Sequence, residues 1–330
     1  MSSDARCAEA LLWAEQELGQ DCTIEPLAGD ASFRRYFRLE SKGVAYVLMD
    51  APPEKEDVQP FLRVLAWMAE AGLRIPELLA KDTVQGFLLL EDFGDVTWAV
   101  DVQRGGDVAP LMADALRQLS LLQATAPPGL AVFDVSRMQR ECDLYLDWYL
   151  PQVAGDAPSQ VERDDFHAAF LPSLTELANL PRVPVHLDYH SRNLMLPQLD
   201  GRGGLPLGVI DFQDAVSGPV TYDLASLLYD CYQDYPESMR SDYSEQFFSS
   251  LPRELSSRFD GFGNWHRLLR LTAMQRHIKA IGIFARLAYR DGKRQFLDEI
   301  PLTRRHLRDE MLALQMDEEK FPLLLKEPAA

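Results

Sequence analysis

Cysteine is scarce and scattered, with four in 330 residues, at Cys7, Cys22, Cys142 and Cys231. No two have the spacing of a zinc knuckle and no framework of bridges is suggested, so reduced thiols in a cytoplasm are the expectation. Positive charge is also short: 33 Lys and Arg stand against 51 Asp and Glu, a net charge of -18. That balance argues against a general nucleic-acid binder and against a polybasic membrane-surface protein. No apolar run approaches membrane-spanning length, and the opening Met-Ser-Ser-Asp-Ala-Arg-Cys lacks the apolar core of a signal peptide. No internal repeat is visible. The expectation is a cytoplasmic protein with no call for nucleic acid, membrane or an obligate protein partner.

What is present is ample apolar material, 47% of residues, enough for one two-lobed unit or two domains. An amphipathic helix is expected over residues 4–18, then strands at 23–27, 35–39 and 45–49, with the small polar segment 28–32 as a turn between the first two. A helix over 58–71 and a strand at 75–79 follow. Gly86-Phe87-Leu88-Leu89-Leu90 reads as a strand buried on both faces. Beyond Asp95 the pattern turns helical, with spans at 109–124, 139–149, 166–177, 222–232, 243–249, 265–289 and 301–314. A small β insert is expected from strands at 183–187, 194–196 and 207–210. The 316–320 stretch and the tail after Leu325 read as solvated or frayed. The fold class is α+β, with a β-rich part at 1–92 and a mostly helical part at 93–330.

The most informative run is His186-Leu187-Asp188-Tyr189-His190-Ser191-Arg192-Asn193, followed by Val209-Ile210-Asp211-Phe212. It supplies the parts of a phosphoryl-transfer site. Asp188 can orient a nucleophilic hydroxyl and accept its proton. Asn193 and Asp211 offer the hard oxygen ligands that magnesium prefers, leaving substrate phosphates and water to complete its shell.

These residues resemble the aminoglycoside phosphotransferase-like kinases, whose pattern is His-x-Asp-x-x-x-x-Asn and then Ile-Asp-[Phe/Trp]. Gly218-Pro219-Val220-Thr221-Tyr222-Asp223-Leu224-Ala225 matches a further family stretch, and Phe87 to Asp95 looks like its lobe-linking hinge. The resemblance implies a bilobal, protein-kinase-like fold that uses ATP with Mg2+. Adenine would bond backbone groups near Glu91 and Phe93, and Asp223 would stabilise the catalytic loop. His190 either packs that loop or stands near the transferred phosphate, where protein kinases carry a lysine.

Two departures stand out. There is no G-x-G-x-x-G; Gly29-Asp30-Ala31-Ser32-Phe33-Arg34-Arg35 occupies the hairpin tip, where backbone N–H groups and the Ser32 hydroxyl can cradle phosphates. The family's N-lobe lysine is replaced by Met49. Arg35 is the first candidate for its role, with Lys42 and Lys55 behind it. Arg35 is expected to point inward, with Arg34, Tyr36 and Arg38 on the outward face.

Within the family, Gly-Asp-Ala-Ser-Phe-Arg-Arg-Tyr-Phe-Arg, His-Leu-Asp-Tyr-His-Ser-Arg-Asn-Leu-Met and Asp-Phe-Gln-Asp-Ala resemble a bacterial branch of anomeric amino-sugar kinases. That branch acts on N-acetylmuramate and N-acetylglucosamine in peptidoglycan recycling. The resemblance implies an amino-sugar substrate. Tyr145 and Tyr149, with Asp143 and Trp148 beside them, and Gln213 and Asp214 are candidate sugar contacts. Arg192 or His277 would meet a lactyl carboxylate. An aminoglycoside- or choline-type kinase and a pseudokinase scaffold are the alternatives.

Overall fold

The computed structural model describes residues 5–27, 33–127, 129–199, 202–204 and 206–329. The first helices are α1 (Ala5–Leu18), α2 (Gln59–Glu70), α3 (Trp98–Gln103) and α4 (Val108–Gln123). The next are α5 (Val135–Leu144), α6 (Leu150–Gln152), α7 (Gln160–Ala178) and α8 (Tyr222–Leu228). The last are α9 (Glu237–Ser250), α10 (Arg253–Ser256), α11 (Gly261–Tyr289) and α12 (Ile300–Ala313). The strands begin with β1 (Thr23–Pro26), β2 (Arg35–Ser41), β3 (Val44–Asp50), β4 (Leu78–Asp82) and β5 (Phe87–Glu91). Short strands follow: β6 (Arg182–Val185), β7 (Leu194–Met195), β8 (Gln198–Leu199), β9 (Arg202–Gly203), β10 (Gly208–Val209) and β11 (Val216–Pro219).

The chain separates into two compact units, 1–118 with 192–213, and 119–191 with 214–330. This division differs from the single cut expected after residue 92. The segment 192–213 belongs with the first unit because its strands are bonded there: the Leu196 N–H donates to the Val96 carbonyl and the Val209 N–H to that of Arg74, each at 2.7 Å.

In the first unit a five-stranded antiparallel sheet runs in the order β1-β2-β3-β5-β4. One face packs under α1, where Ala10, Trp13 and Ala14 meet Leu39, Leu48, Phe87 and Leu89. Burying each large apolar side chain here contributes roughly 1.5–3 kcal/mol before entropy is counted. Alternation puts Arg35, Phe37 and Leu39 on that helix-covered face, leaving Tyr36 and Arg38 for the other. Arg35 thus faces α1 rather than a ligand cavity, while Tyr36 and Arg38, expected to point outward, line one. At the sheet's end the buried Asp50 carboxylate accepts from Arg6 Nε at 2.8 Å and Arg35 Nε at 3.0 Å.

The second unit is built around α11, whose 29 residues pack on neighbours along most of their length. A turn of π-helix, Tyr145–Tyr149, continues α5. The expected three-stranded insert is instead two separate ladders, β6 with β11 here and β7 with β10 in the first unit. Residues 317–320 and 327–329 are exposed, as expected, but the tail is tied down: the Ala329 N–H donates to the Val153 carbonyl at 2.8 Å. Between these two stretches Phe321, Leu323 and Leu324 are buried.

Candidate active site

The turn after β6 carries Asp188, and two buried carboxylates hold it in shape. Asp223, in the first turn of α8, accepts from the His186 N–H at 2.7 Å and the Leu187 N–H at 3.1 Å. Asp230 accepts from the Ser191 N–H and the Tyr232 N–H, both at 2.9 Å. His186 is fully buried, and its Nδ1 accepts from the Asp188 N–H at 3.3 Å. Leu187 sits at φ +79°, a conformation costly for a bulky side chain. Such strain persists only where the surroundings over-determine it, and two carboxylates bonding three of the loop's N–H groups do so.

Asp188 keeps 39% of its side chain exposed. Burial raises its pKa, but Lys279, His190, Arg276 and His186 outweigh that and hold it below the usual carboxylate range. Lys279 Nζ stands 3.9 Å from its Oδ1. The His190 ring packs edge-on against Tyr232, with centroids 5.2 Å apart. Burial pushes the Asp223 carboxyl up to about 7, against the two backbone N–H bonds that favour its charged form.

In the first unit Asn193 and Asp211 come together, with Asn193 Nδ2 donating to Asp211 Oδ2 at 3.5 Å. The Ile210 N–H donates to the Asn193 carbonyl at 3.1 Å, which ties the two segments. Asp211 is exposed and takes φ +63°, a second strained position. Gln213 Nε2 donates to Asp211 Oδ1 at 2.7 Å. One carboxylate and one amide oxygen fit a magnesium ion that takes its remaining ligands from phosphates and water.

Asn193 and Asp211 line a cavity of about 370 Å³ together with Glu91, Asp92, Phe93, Gly94 and Asp95. Val47, Leu90, Met195 and Ile210 give it apolar walls, as a slot for a planar ring requires. Phe93 is buried beneath the Arg74 guanidinium, 4.6 Å from the ring centre, and a Cβ at Gly208 would lie 2.3 Å from its ring. Glu91 accepts from Arg74 Nη1 at 2.7 Å and from the Glu77 N–H at 3.2 Å, so its side chain is spent on structure.

Among the described residues, the basic side chain lining this cavity is Arg38. It bonds Asp95 at 2.8 Å and also pairs with Asp92. The sequence reading missed it by directing attention to Arg35. The available signal was that Phe37 and Leu39 share the face of Arg35, marking that face as the apolar one. Met49 is fully buried and lies opposite Tyr36. Arg34 is buried near Glu56, at 3.9 Å. Lys55 stands over the exposed Phe33 ring, 5.5 Å from its centre. Asp30, Ala31 and Ser32 lie outside the described residues.

The expected aromatic platform is corrected. Tyr145 and Tyr149 are fully buried, stacked at 4.7 Å, and donate their hydroxyls to the Leu323 and Lys326 carbonyls at 3.0 Å. His277 is likewise buried, with Nε2 2.9 Å from the Tyr229 carbonyl, and meets no solvent-borne carboxylate. Asp143 faces His167 at 2.6 Å. Arg192 is half-buried and Asp214 exposed.

The model of the phosphotransferase enzyme family matches residues 23–258. The chain belongs to that family. A relative from Pseudomonas aeruginosa named N-acetylmuramate/N-acetylglucosamine kinase is 36% identical, across 93% of this chain and 92% of its own. One of the same name from Neisseria meningitidis is 37% identical, across 88% and 86%. Among solved structures, a choline/ethanolamine kinase family protein from Mesorhizobium loti is similar with a TM-score of 0.60 at 15% identity, covering 98% of this chain and 97% of that one. An aminoglycoside phosphotransferase solved with AMP-PNP and hygromycin B gives 0.59 at 16% identity, covering 93% and 99%. The α+β fold is therefore the bilobal one of these kinases.

Proposed function

We propose that this phosphotransferase uses ATP and Mg2+ to phosphorylate N-acetylmuramate and N-acetylglucosamine at the anomeric hydroxyl. The observation that carries the phosphoryl-transfer reading is that Asn193 and Asp211 open onto the same cavity as the 91–95 hinge segment. The choice of sugar is supported by near full-length similarity to kinases of that name.

In this reading the hinge backbone and the apolar walls receive adenine. Arg38 offers positive charge to the nucleotide, which Met49 does not. Asn193, through its amide oxygen, and Asp211 would hold the metal, which would supply positive charge to the phosphates. Asp188 orients the sugar hydroxyl. The hydroxyl oxygen bonds to the γ-phosphorus, the bond from that phosphorus to the β-phosphate oxygen breaks, and ADP leaves with the electron pair. The hydroxyl proton passes to Asp188 and then to water. An already ionised Asp188 suits a loose transition state, in which orientation outweighs early proton removal.

The test is ATP consumption against a panel of N-acetylmuramate, N-acetylglucosamine, aminoglycosides and choline, with NMR of the product. Turnover of the two amino sugars with loss of the free reducing end is expected. A product that still reduces sinks the anomeric assignment, and turnover restricted to choline or aminoglycosides sinks the sugar assignment.

A further inference from the structure

The α11 lysine beside Asp188 belongs to none of the motifs above. Lys279 Nζ lies 3.9 Å from Asp188 Oδ1, 3.6 Å from Glu141 Oε1 and 3.4 Å from the Tyr222 hydroxyl, to which it donates. Its side chain is 13% exposed. A lysine so shielded normally sheds its proton, since burial disfavours the ammonium. Here Glu141, Tyr222 and Asp188 outweigh burial and push its pKa up, so it remains a cation.

Its own position is over-determined. Glu141, on α5, receives Gln275 Nε2 at 3.3 Å and stands 3.7 Å from Arg137. Gln275, Arg276 and Lys279 recur at helical spacing on the stretch of α11 that faces α5, α8 and the Asp188 turn. Tyr222 is buried beneath both cations, with Arg276 5.6 Å and Lys279 6.0 Å from its ring centre. Lys279 is thus fixed by Glu141 and Tyr222, and stands 3.9 Å from Asp188 Oδ1.

We propose that Lys279 is a positioning residue for phosphoryl transfer: by standing against Asp188 Oδ1 it fixes the rotation of the carboxylate that orients the acceptor hydroxyl. This rests on reading Asp188 as the group that orients that hydroxyl. Lys279 touches neither nucleotide nor sugar in this role. Its effect falls on kcat, because a misaimed carboxylate harms the transition state more than the bound ground state.

The test compares full-length wild type, Lys279→Met, Lys279→Gln, Lys279→Arg, Asp188→Asn and the Asp188→Asn/Lys279→Met double variant. Sugar-dependent turnover with N-acetylglucosamine is measured, alongside slow ATP hydrolysis with water as acceptor. Lys279→Met and Lys279→Gln are expected to lower kcat about 100-fold with both KM values within about 3-fold, as loss of alignment does. Lys279→Arg restores kcat to within about 10-fold of wild type, because the charge returns. In the Asp188→Asn background Lys279→Met costs nothing further, since groups acting as one unit are not additive.

A structural role predicts instead additive losses and a fall in melting temperature that tracks kcat. Additivity, or full activity in a folded Lys279→Met or Lys279→Gln, overturns the proposal while an inactive Asp188→Asn keeps the base assignment. Full activity in Asp188→Asn overturns both. If no amino sugar turns over but ATP hydrolysis shows the same non-additivity, the sugar assignment fails and Lys279 keeps its role.

Discussion

Asp188 is half-exposed yet ringed by Lys279, His190, Arg276 and His186, which together hold its pKa below the ordinary carboxylate range. It is therefore ionised across neutral pH, and a neutral amide of the same shape tests its charge alone. Asp188→Asn is expected to lower kcat about 10²–10⁴-fold, the usual worth of a positioned acid–base group. Steady-state assays and a superimposable circular dichroism spectrum check this. Arg38 provides the second residue-scale expectation. Its removal strips a partner from Asp92, whose side chain is 3% exposed. Arg38→Met should lower stability by about 1–3 kcal/mol, the cost of a buried polar group left unpaired. It should also raise the ATP KM with less change in the sugar KM. Denaturant unfolding and ATP titrations read the two effects separately, and an unchanged ATP KM removes Arg38 from the nucleotide site.

At the scale of elements, Gly208 and Gly282 each lie too close to a neighbour for a side chain, the first to a ring and the second to backbone. A Cβ on Gly208, in β10, would fall 2.3 Å from Cε2 of Phe93. Gly208→Ala should displace the Phe93 ring in the cavity wall, raise the ATP KM and cost about 1–3 kcal/mol, as overpacking does. A Cβ on Gly282, in α11, would fall 2.3 Å from the Leu144 backbone carbon, where the π-turn begins. Backbone yields less than a ring, so Gly282→Ala should lower the melting temperature more than Gly208→Ala without selectively raising the ATP KM. Neither contact was legible in the sequence, since each joins segments far apart along the chain. Phe87–Leu90 was legible, because a strand covered on both faces needs an unbroken apolar run. That Asn193 and Asp211 come together was legible for a different reason: their motifs have the spacing of a known family, whose model the chain matches. The face of β2 was not, because both of its faces carry an arginine and an aromatic ring. Tyr145 and Tyr149 misled because the segment that covers them, ending near Lys326, lies some 180 residues on. Lys279 had no local motif at all.

At the scale of the whole molecule, pH acts on folding through groups whose shifts oppose one another. His277 and His306 are buried, and burial is the largest cause lowering both below 6.5. Between 6.5 and their folded values the unfolded chain binds more protons than the native one, so each histidine makes stability fall as pH falls. Asp223 and Glu310 are shifted the other way, pushed up to about 7 by burial. Between the ordinary carboxylate range and 7 the native state holds the extra proton, so these two make stability rise as pH falls. Below pH 6.5 the two pairs therefore pull stability in opposite directions. Removing one histidine exposes the imbalance. In His277→Gln an amide replaces the ring nitrogen that meets the Tyr229 carbonyl at 2.9 Å. The variant is expected to be less stable at pH 7.5, where only packing is lost. Its deficit should shrink as pH drops below 6.5, by up to about 1.4 kcal/mol per pH unit for one proton. The groups facing His277 are His306 of α12, Arg240 of α9 and its own neighbour Arg276, and the two arginines stay charged throughout, so they tilt neither curve. Urea unfolding of both proteins at half-unit steps from pH 5.0 to 8.0 measures the difference curve. A deficit that stays constant across that range would show that His277 titrates in the native state as it does in the unfolded one.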